Sequence, residues 1–291
     1  MIREKIQQLM LQDLSREEII DKMGWSERQF YWNRKKFFPD ISFRSLKKVN
    51  HLYFEKINTH KKAYLLGFFI ADGHLRSQRT DKQLNCFIVS VKREDEIILK
   101  FFISEICPEA TLQHSKLKNG YEISKIQWTS VNMAKDISKY ISNFHRKSYN
   151  ENLDIDMSYI SDEFFPSFLR GLIDGDGTVK LNFPRVELLF SSNLFANKLK
   201  MRILNLLPSL NVRIVKDNSY SKKDNKKRSK TLYRLHINSS LGSGGNGIKR
   251  YLEQLYYIHV FYNFLYYNSE FFLQRKKSRF TEYRANFLNN E

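Results

Sequence analysis

The sequence predicts an α+β protein: a small all-α segment, then two similar units in which antiparallel strands pack on helices. Three observations predict it. One motif occurs twice, at an offset of 171 − 67 = 104 residues. Each copy is followed by the same succession of strand-like and helix-like periods. The opening residues carry helical spacing with caps and no strand pattern.

In the opening segment, taken as residues 1–45, Ile2, Ile6, Leu9 and Met10 follow helical spacing. Ser15 with Glu18, and Ser26 with Gln29, each have the spacing of a capping box, and Gly24 between them permits a tight turn. Helix, glycine turn, helix is the pattern of a helix-turn-helix. Its last helix carries Arg28, Asn33 and Arg34, side chains suited to base edges and phosphates, beside Tyr31, Lys35 and Lys36. A helical packing module that touches no nucleic acid is the alternative.

The repeat units are taken as residues 46–158 and 159–291. AYLLGFFIADGHL (63–75) aligns with SFLRGLIDGDGTV (167–179), superposing Gly67 on Gly171, Asp72 on Asp176 and Gly73 on Gly177. After the first copy, LNCFIVSV (84–91) reads as a strand and KREDEIILKFFISEI (92–106) as a helix. Asn119-Gly120 then marks a hairpin before YEISKIQW (121–128). After the second, RVELLFS (185–191) reads as a strand, 194–207 as a helix, and VRIV (212–215) and TLYRLHIN (231–238) as strands. The stretch 216–230 is expected to be a basic connection able to lie along phosphates, and aromatic-rich helical sequence follows 250.

Charge narrows the function classes. Lys and Arg number 49 against 31 Asp and Glu, a net charge of +18, spread along the chain among Tyr, Phe and Trp. Such a field draws polyanions, and its even spread favours nucleic acid over a membrane surface. Cys86 and Cys107 lack metal or redox spacing and read as reduced core thiols. The polar start excludes a signal peptide, and no apolar run reaches the ~20 residues of a membrane span, so a cytoplasmic protein is expected.

The repeated motif has a physical reading. Gly67 and Ala71, and Gly171 and Gly175, are four apart, so each small pair lies on one helix face. Small residues at that spacing let two helix backbones approach closely. Packing of the motif helices would bring Asp72 and Asp176 together at two helix C-termini, where dipoles and like charge disfavour carboxylates. A divalent cation such as Mg²⁺ or Mn²⁺ resolves that conflict and suits oxygen donors.

LLGFFIADG (65–73) and LRGLIDGDG (169–177) resemble the two motifs of single-chain LAGLIDADG homing endonucleases. The resemblance extends over residues 60–291, including FSS (190–192) and LQRKKSRF (273–280), the latter similar to the closing segment of phage and bacterial members. It implies a pseudo-twofold pair of αββαββα halves, saddle-shaped antiparallel sheets in the major groove, and metal held by Asp72 and Asp176 with the carbonyls of Ala71 and Gly175. The implied activity is metal-dependent hydrolysis of both strands of a long asymmetric target, as in intron homing, by a monomer. Relatives also place a polar residue near the end of the first strand, here Val91 or Lys92, and a lysine near the last strand of each half. For those lysines Lys125 is a candidate, although Ser130 and Asn238 lie nearer the expected points. The acid Asp174, matched by Ile70 in the first copy, is not a usual metal ligand.

Candidate base-reading residues are Lys125 and Gln127 in the first unit and Lys180, Arg185, Arg234 and His236 in the second, all expected to be exposed. Two other readings fit the same basic surface: a non-cleaving DNA-binding regulator, and an intron maturase that binds host intron RNA. The scattered His argue against a zinc nuclease. The start at Met1, without a nucleophile, and the ending Asn290-Glu291 argue against an intein.

Overall fold

The computed structural model of the chain describes residues 2–12, 14–39, 46, 48–77, 84–117, 119–142, 144, 147, 150–180, 184–217, 231–237, 247–267 and 269–288. Among these the helices run α1 (Ile2–Leu11), α2 (Arg16–Met23), α3 (Glu27–Phe37), α4 (His60–Asp72), α5 (Ile97–Ile106) and α6 (Val131–Tyr140). They continue as α7 (Phe165–Asp176), α8 (Asn193–Leu206), α9 (Gly247–Tyr266) and α10 (Gln274–Leu288). The strands are β1 (Gly73–Ser77), β2 (Leu84–Lys92), β3 (Gln113–Lys116), β4 (Glu122–Thr129), β5 (Ile141–Ser142) and β6 (Asp154–Ile155). The last four are β7 (Thr178–Val179), β8 (Val186–Phe190), β9 (Val212–Asp217) and β10 (Leu232–Ile237). No described helix is long and apolar enough to cross a membrane.

Packing divides the chain into Met1–Lys56 with His74–Asp136, and Ile57–Gly73 with Ile137–Glu291. In the first unit both capping boxes form, and Gly24 takes a left-handed φ of 63° that ends α2. Ile6, Leu9, Met10, Ile19, Phe30 and Phe38 share one core with Leu46 and Leu52. Gln7 is buried there because its Nε2 donates to Leu46 O (2.8 Å) and Val49 O (3.2 Å). The first sheet has the order β1-β2-β4-β3. Alternation along β4 buries Ser124, Ile126 and Trp128 and leaves Lys125 and Gln127 on the other face.

The second unit contains the two motif helices, α4 and α7, and a second sheet in the order β7-β8-β10-β9, the same topology as the first. α8 covers one face of that sheet through Phe195, Ala196, Leu199 and Ile203. α9 packs on α7 and on α10.

Three details differ from the sequence expectation. The helix expected from residue 92 opens as a 3-10 turn, Arg93–Asp95, before α5. β3 was not expected because all four of its residues are exposed and carry no alternation. β1 begins at Gly73 itself and β7 at Thr178, short strands not expected from the sequence: Gly73 and Gly177 are extended (φ −72° and −77°), so each motif helix passes directly into a strand. Residues 218–230 of the expected basic connection, and Asn238, lie outside the described residues.

Candidate active site

The site is set by how closely α4 and α7 approach. A Cβ on Gly67 would lie 2.1 Å from Phe168 O, and a Cβ on Gly171 would lie 2.1 Å from Tyr64 O. Tyr64 and Phe168 are themselves repeat equivalents, so the contact is reciprocal. One turn on, a Cβ on Gly175 would lie 2.3 Å from the Cβ of Ala71. The four small residues nominated from the motif therefore form the helix–helix contact, and contact at both levels carries the two helix ends together. Asp72 and Asp176 are the last residues of those helices, and both side chains reach solvent.

Each helix end also receives a lysine. Lys147 Nζ donates to Ile70 O (2.6 Å) and to Ala71 O at the end of α4. Lys276 Nζ donates to Ile173 O (2.5 Å), Asp174 O (2.6 Å) and Gly175 O (3.1 Å) at the end of α7. Ile173 O already accepts the Gly177 N–H (2.9 Å); the others belong to the last turn, whose carbonyls a helix C-terminus leaves without intrahelical partners, and a cation there also offsets the helix dipole. Sequence reasoning sought the lysines near the last strands and missed both. Lys147 comes from the segment after β5, and Lys276 from the first turn of α10. The only available signal was the basic run LQRKKSRF, which does not single out Lys276.

The FSS segment has a structural part in this. Ser191 Oγ donates to Lys147 O (2.7 Å) and Asn150 O (3.0 Å), holding the backbone that carries Lys147. Ser192 caps α8.

Electrostatics reflect the crowding. Burial pushes the Asp176 carboxyl up to about 6; Lys147 and Lys276 pull it down while Asp72 pushes it further up. Burial drives Lys147 down to about 8 against the attraction of Asp176 and Asp72. Opposed groups of this kind, shifted by burial and by one another, are the pattern in which functional sites are commonly found.

Among the described residues no three His, Cys, Asp or Glu side chains cluster as a metal-ligating group. The donors at the junction are two carboxylates and backbone carbonyls, a hard oxygen set that fits Mg²⁺ completed by water and phosphate oxygens. The Ala71 and Gly175 carbonyls each already accept a lysine proton, leaving one lone pair apiece.

The residues nominated for base reading in the second unit are not independently exposed. Glu187, 6% exposed, collects four of them: Lys180 (2.9 Å), Arg185 (2.8 Å), Arg234 (2.9 Å) and His236 (3.6 Å). Arg234 also reaches Asp217 (2.5 Å). Burial would raise the Glu187 carboxyl, but the hydrogen bonds from Lys180 and Arg234, together with the charges of Lys180 and Arg185, outweigh it and hold it below its ordinary value. Glu187, Arg234 and His236 share the sheet face opposite α8. In the first unit Gln127 accepts from Arg76 (3.3 Å). On α3, Arg28 is exposed, Arg34 is half-buried, and Asn33 donates to Gln29 O (3.0 Å).

Residues 166–255 match the LAGLIDADG-like domain family. No curated protein sequence matches the chain. Among solved structures, the homing endonuclease I-WcaI bound to its DNA recognition sequence is 14% identical, with a TM-score of 0.44, covering 85% of this chain and 97% of that one. The I-SmaMI LAGLIDADG homing endonuclease bound to cleaved DNA is 12% identical, with a TM-score of 0.46, covering 81% and 95%. The N-terminal LAGLIDADG domain of DUF199/WhiA is 13% identical, with a TM-score of 0.39, covering 79% and 92%.

Proposed function

We propose that this chain, whose second motif opens a LAGLIDADG-like domain, is a site-specific, divalent-metal-dependent DNA endonuclease that makes a staggered double-strand break. One observation carries the reading: the reciprocal glycine contact between α4 and α7 brings Asp72 and Asp176 to one junction, each beside a lysine-capped helix end. Two acids, one per strand, fit hydrolysis of a duplex.

In this reading Asp72 and Asp176 hold the metal, with the carbonyls of Ala71 and Gly175 available beside them. The metal would polarise a phosphate and lower the pKa of attacking water. Lys147 and Lys276 supply positive charge where the scissile phosphates build negative charge. The outer sheet faces, carrying Lys125, Gln127, Lys180, Arg185, Arg234 and His236, provide the basic surface for the groove. Residues 1–45 add a second DNA contact through Arg28, Asn33 and Arg34. Both motifs lie on one chain, so one copy suffices and the enzyme acts as a monomer. The helix-turn-helix-like segment also favours a second reading, a non-cleaving regulator; binding of host intron RNA is a third role open to the same surface.

The test is incubation of the purified chain with Mg²⁺ and long duplex DNA carrying the intron-free insertion site of its gene. Specific double-strand cutting is expected from wild type and not from Asp72→Asn or Asp176→Asn, while all three bind the duplex without metal. Tight binding without cutting by folded wild type under Mg²⁺ and Mn²⁺ would replace the nuclease with the regulator.

A further inference from the structure

Asp174 has no part in the metal site described above, yet it is 1% exposed, as is Arg170 four residues before it. Four residues apart on a helix puts them on one face. That face meets the turn between α9 and α10. Arg170 donates to Leu265 O and, through Nε, to Phe271 O (2.9 Å). Asp174 Oδ2 accepts from the Leu273 N–H (2.8 Å) and from Tyr64 Oη of α4 (2.8 Å). One carbonyl at the end of α9 and two backbone groups of the turn that follows are thus fixed by two side chains of α7.

The consequence lies one helical turn further on. The Leu273 carbonyl accepts from the N–H groups of Lys276 and Lys277 and so opens α10. Asp174 therefore grips the residue whose carbonyl starts the helix, and Lys276, 3% exposed, returns from that helix to the last carbonyls of α7. The clamp and the ammonium it would aim are parts of one loop of contacts that leaves α7 and comes back to it.

The first repeat has nothing equivalent. At the offset of 104 residues Arg170 corresponds to Leu66 and Asp174 to Ile70. Lys147 is instead backed by Ser191.

We infer that Arg170 and Asp174 are positioning residues that aim Lys276 at the last carbonyls of α7 and leave Lys147, on the last carbonyls of α4, unaffected. Resting on the nuclease reading, this makes the two strand cuts separately breakable: loss of the clamp slows one cut and leaves a nicked duplex.

The test reads the lysine first and the cuts second. Amine acylation followed by mass spectrometry is run on folded wild type, Asp174→Leu, Arg170→Met and Asp174→Asn. Asp174→Leu and Arg170→Met are expected to raise Lys276 labelling at least about tenfold with Lys147 unchanged. Asp174→Asn, which retains an acceptor for Leu273 N–H and Tyr64 Oη, should keep Lys276 protected. With end-labelled duplex, the two disruptive variants should slow one strand at least about tenfold relative to the other, and Asp174→Asn should restore paired cutting. Lys276 remaining protected in both disruptive variants, both lysines loosening together, or both strands slowing equally would each overturn the positioning role. If wild type cuts no duplex, the nuclease reading falls, and the labelling pattern alone still decides whether the clamp aims Lys276.

Discussion

Gly67→Ala separates two opposite expectations. In a helix interior whose glycine face is free, adding a methyl stabilises by roughly 1 kcal/mol, because Ala is the better helix former. Here the new Cβ would stand 2.1 Å from Phe168 O, 3.0 Å from Phe168 C and 3.1 Å from Leu172 N. All three are backbone atoms, so no rotamer relieves the contact. Reaching even the 3.0 Å below which real Cβ contacts essentially never fall requires α4 and α7 to move apart by about 0.9 Å. A gap of that size forfeits roughly a quarter to a half of the dispersion energy of each contact across the seam. Overpacking of this kind costs about 3 kcal/mol at the upper end of its usual range, and the propensity gain offsets about 1 of it. The net is a loss of about 2 kcal/mol, or on the order of 4–8 °C in Tm. Displacement of Asp72 from Asp176 by that distance should also lower cutting by roughly a hundredfold. Thermal and urea unfolding of the full chain, with the cleavage assay alongside, measures both. A Gly67→Ala chain as stable as wild type, or more so, would refute the close approach on which the site rests.

Other outcomes follow from single contacts. Glu187→Gln releases the cations it gathers, so affinity for unrelated duplex should rise several-fold and the salt dependence of binding steepen by about one phosphate contact, while discrimination for the target falls; titration at two or more salt concentrations reads this. Ser191→Ala removes the hydroxyl bond to the Lys147 and Asn150 carbonyls, which keep the Asn150 N–H (3.2 Å) and the Leu153 N–H (3.3 Å) as donors, and the cost of roughly 0.5–1.5 kcal/mol should appear as a lower unfolding midpoint. Burial pushes the Cys107 thiol up to about 12. Its thiolate is thus scarce at pH 8, and with Cys86 also buried a disulfide reagent should titrate neither thiol until the chain is unfolded.

The legible parts of the sequence were those written in local periods. Both capping boxes need only residues three apart, and they formed as read. The hairpin signal Asn119-Gly120 and the apolar–polar pattern of 185–191 located β4 and β8, and helical spacing alone puts Gly67 with Ala71 and Gly171 with Gly175 on one face, the face on which α4 and α7 approach. Illegible features depend on distant closure. Lys147 reaches a carbonyl 76 residues away in sequence and Lys276 one 103 away, and nothing in the period around either marks it. Lys180, Arg185, Arg234 and His236 read singly as exposed cations, because their common partner Glu187 is visible only once β8 and β10 pair. Asp174 was set aside because the resembled family does not usually use that position as a metal ligand, and no local period announces its partners, the Leu273 N–H and Tyr64 Oη.

The lysines at the helix ends also bear on the order in which an assembly of this kind would form. Two aspartates alone would present a doubly negative spot to an incoming polyanion. With Lys147 and Lys276 at the same junction the formal charge sums to zero, so a phosphate backbone can settle over the helix ends before any cation arrives. In the nuclease reading, nucleic acid engagement and cation capture would then be separate events, the first drawn by the net charge of +18 and the second by the phosphate oxygens already in place.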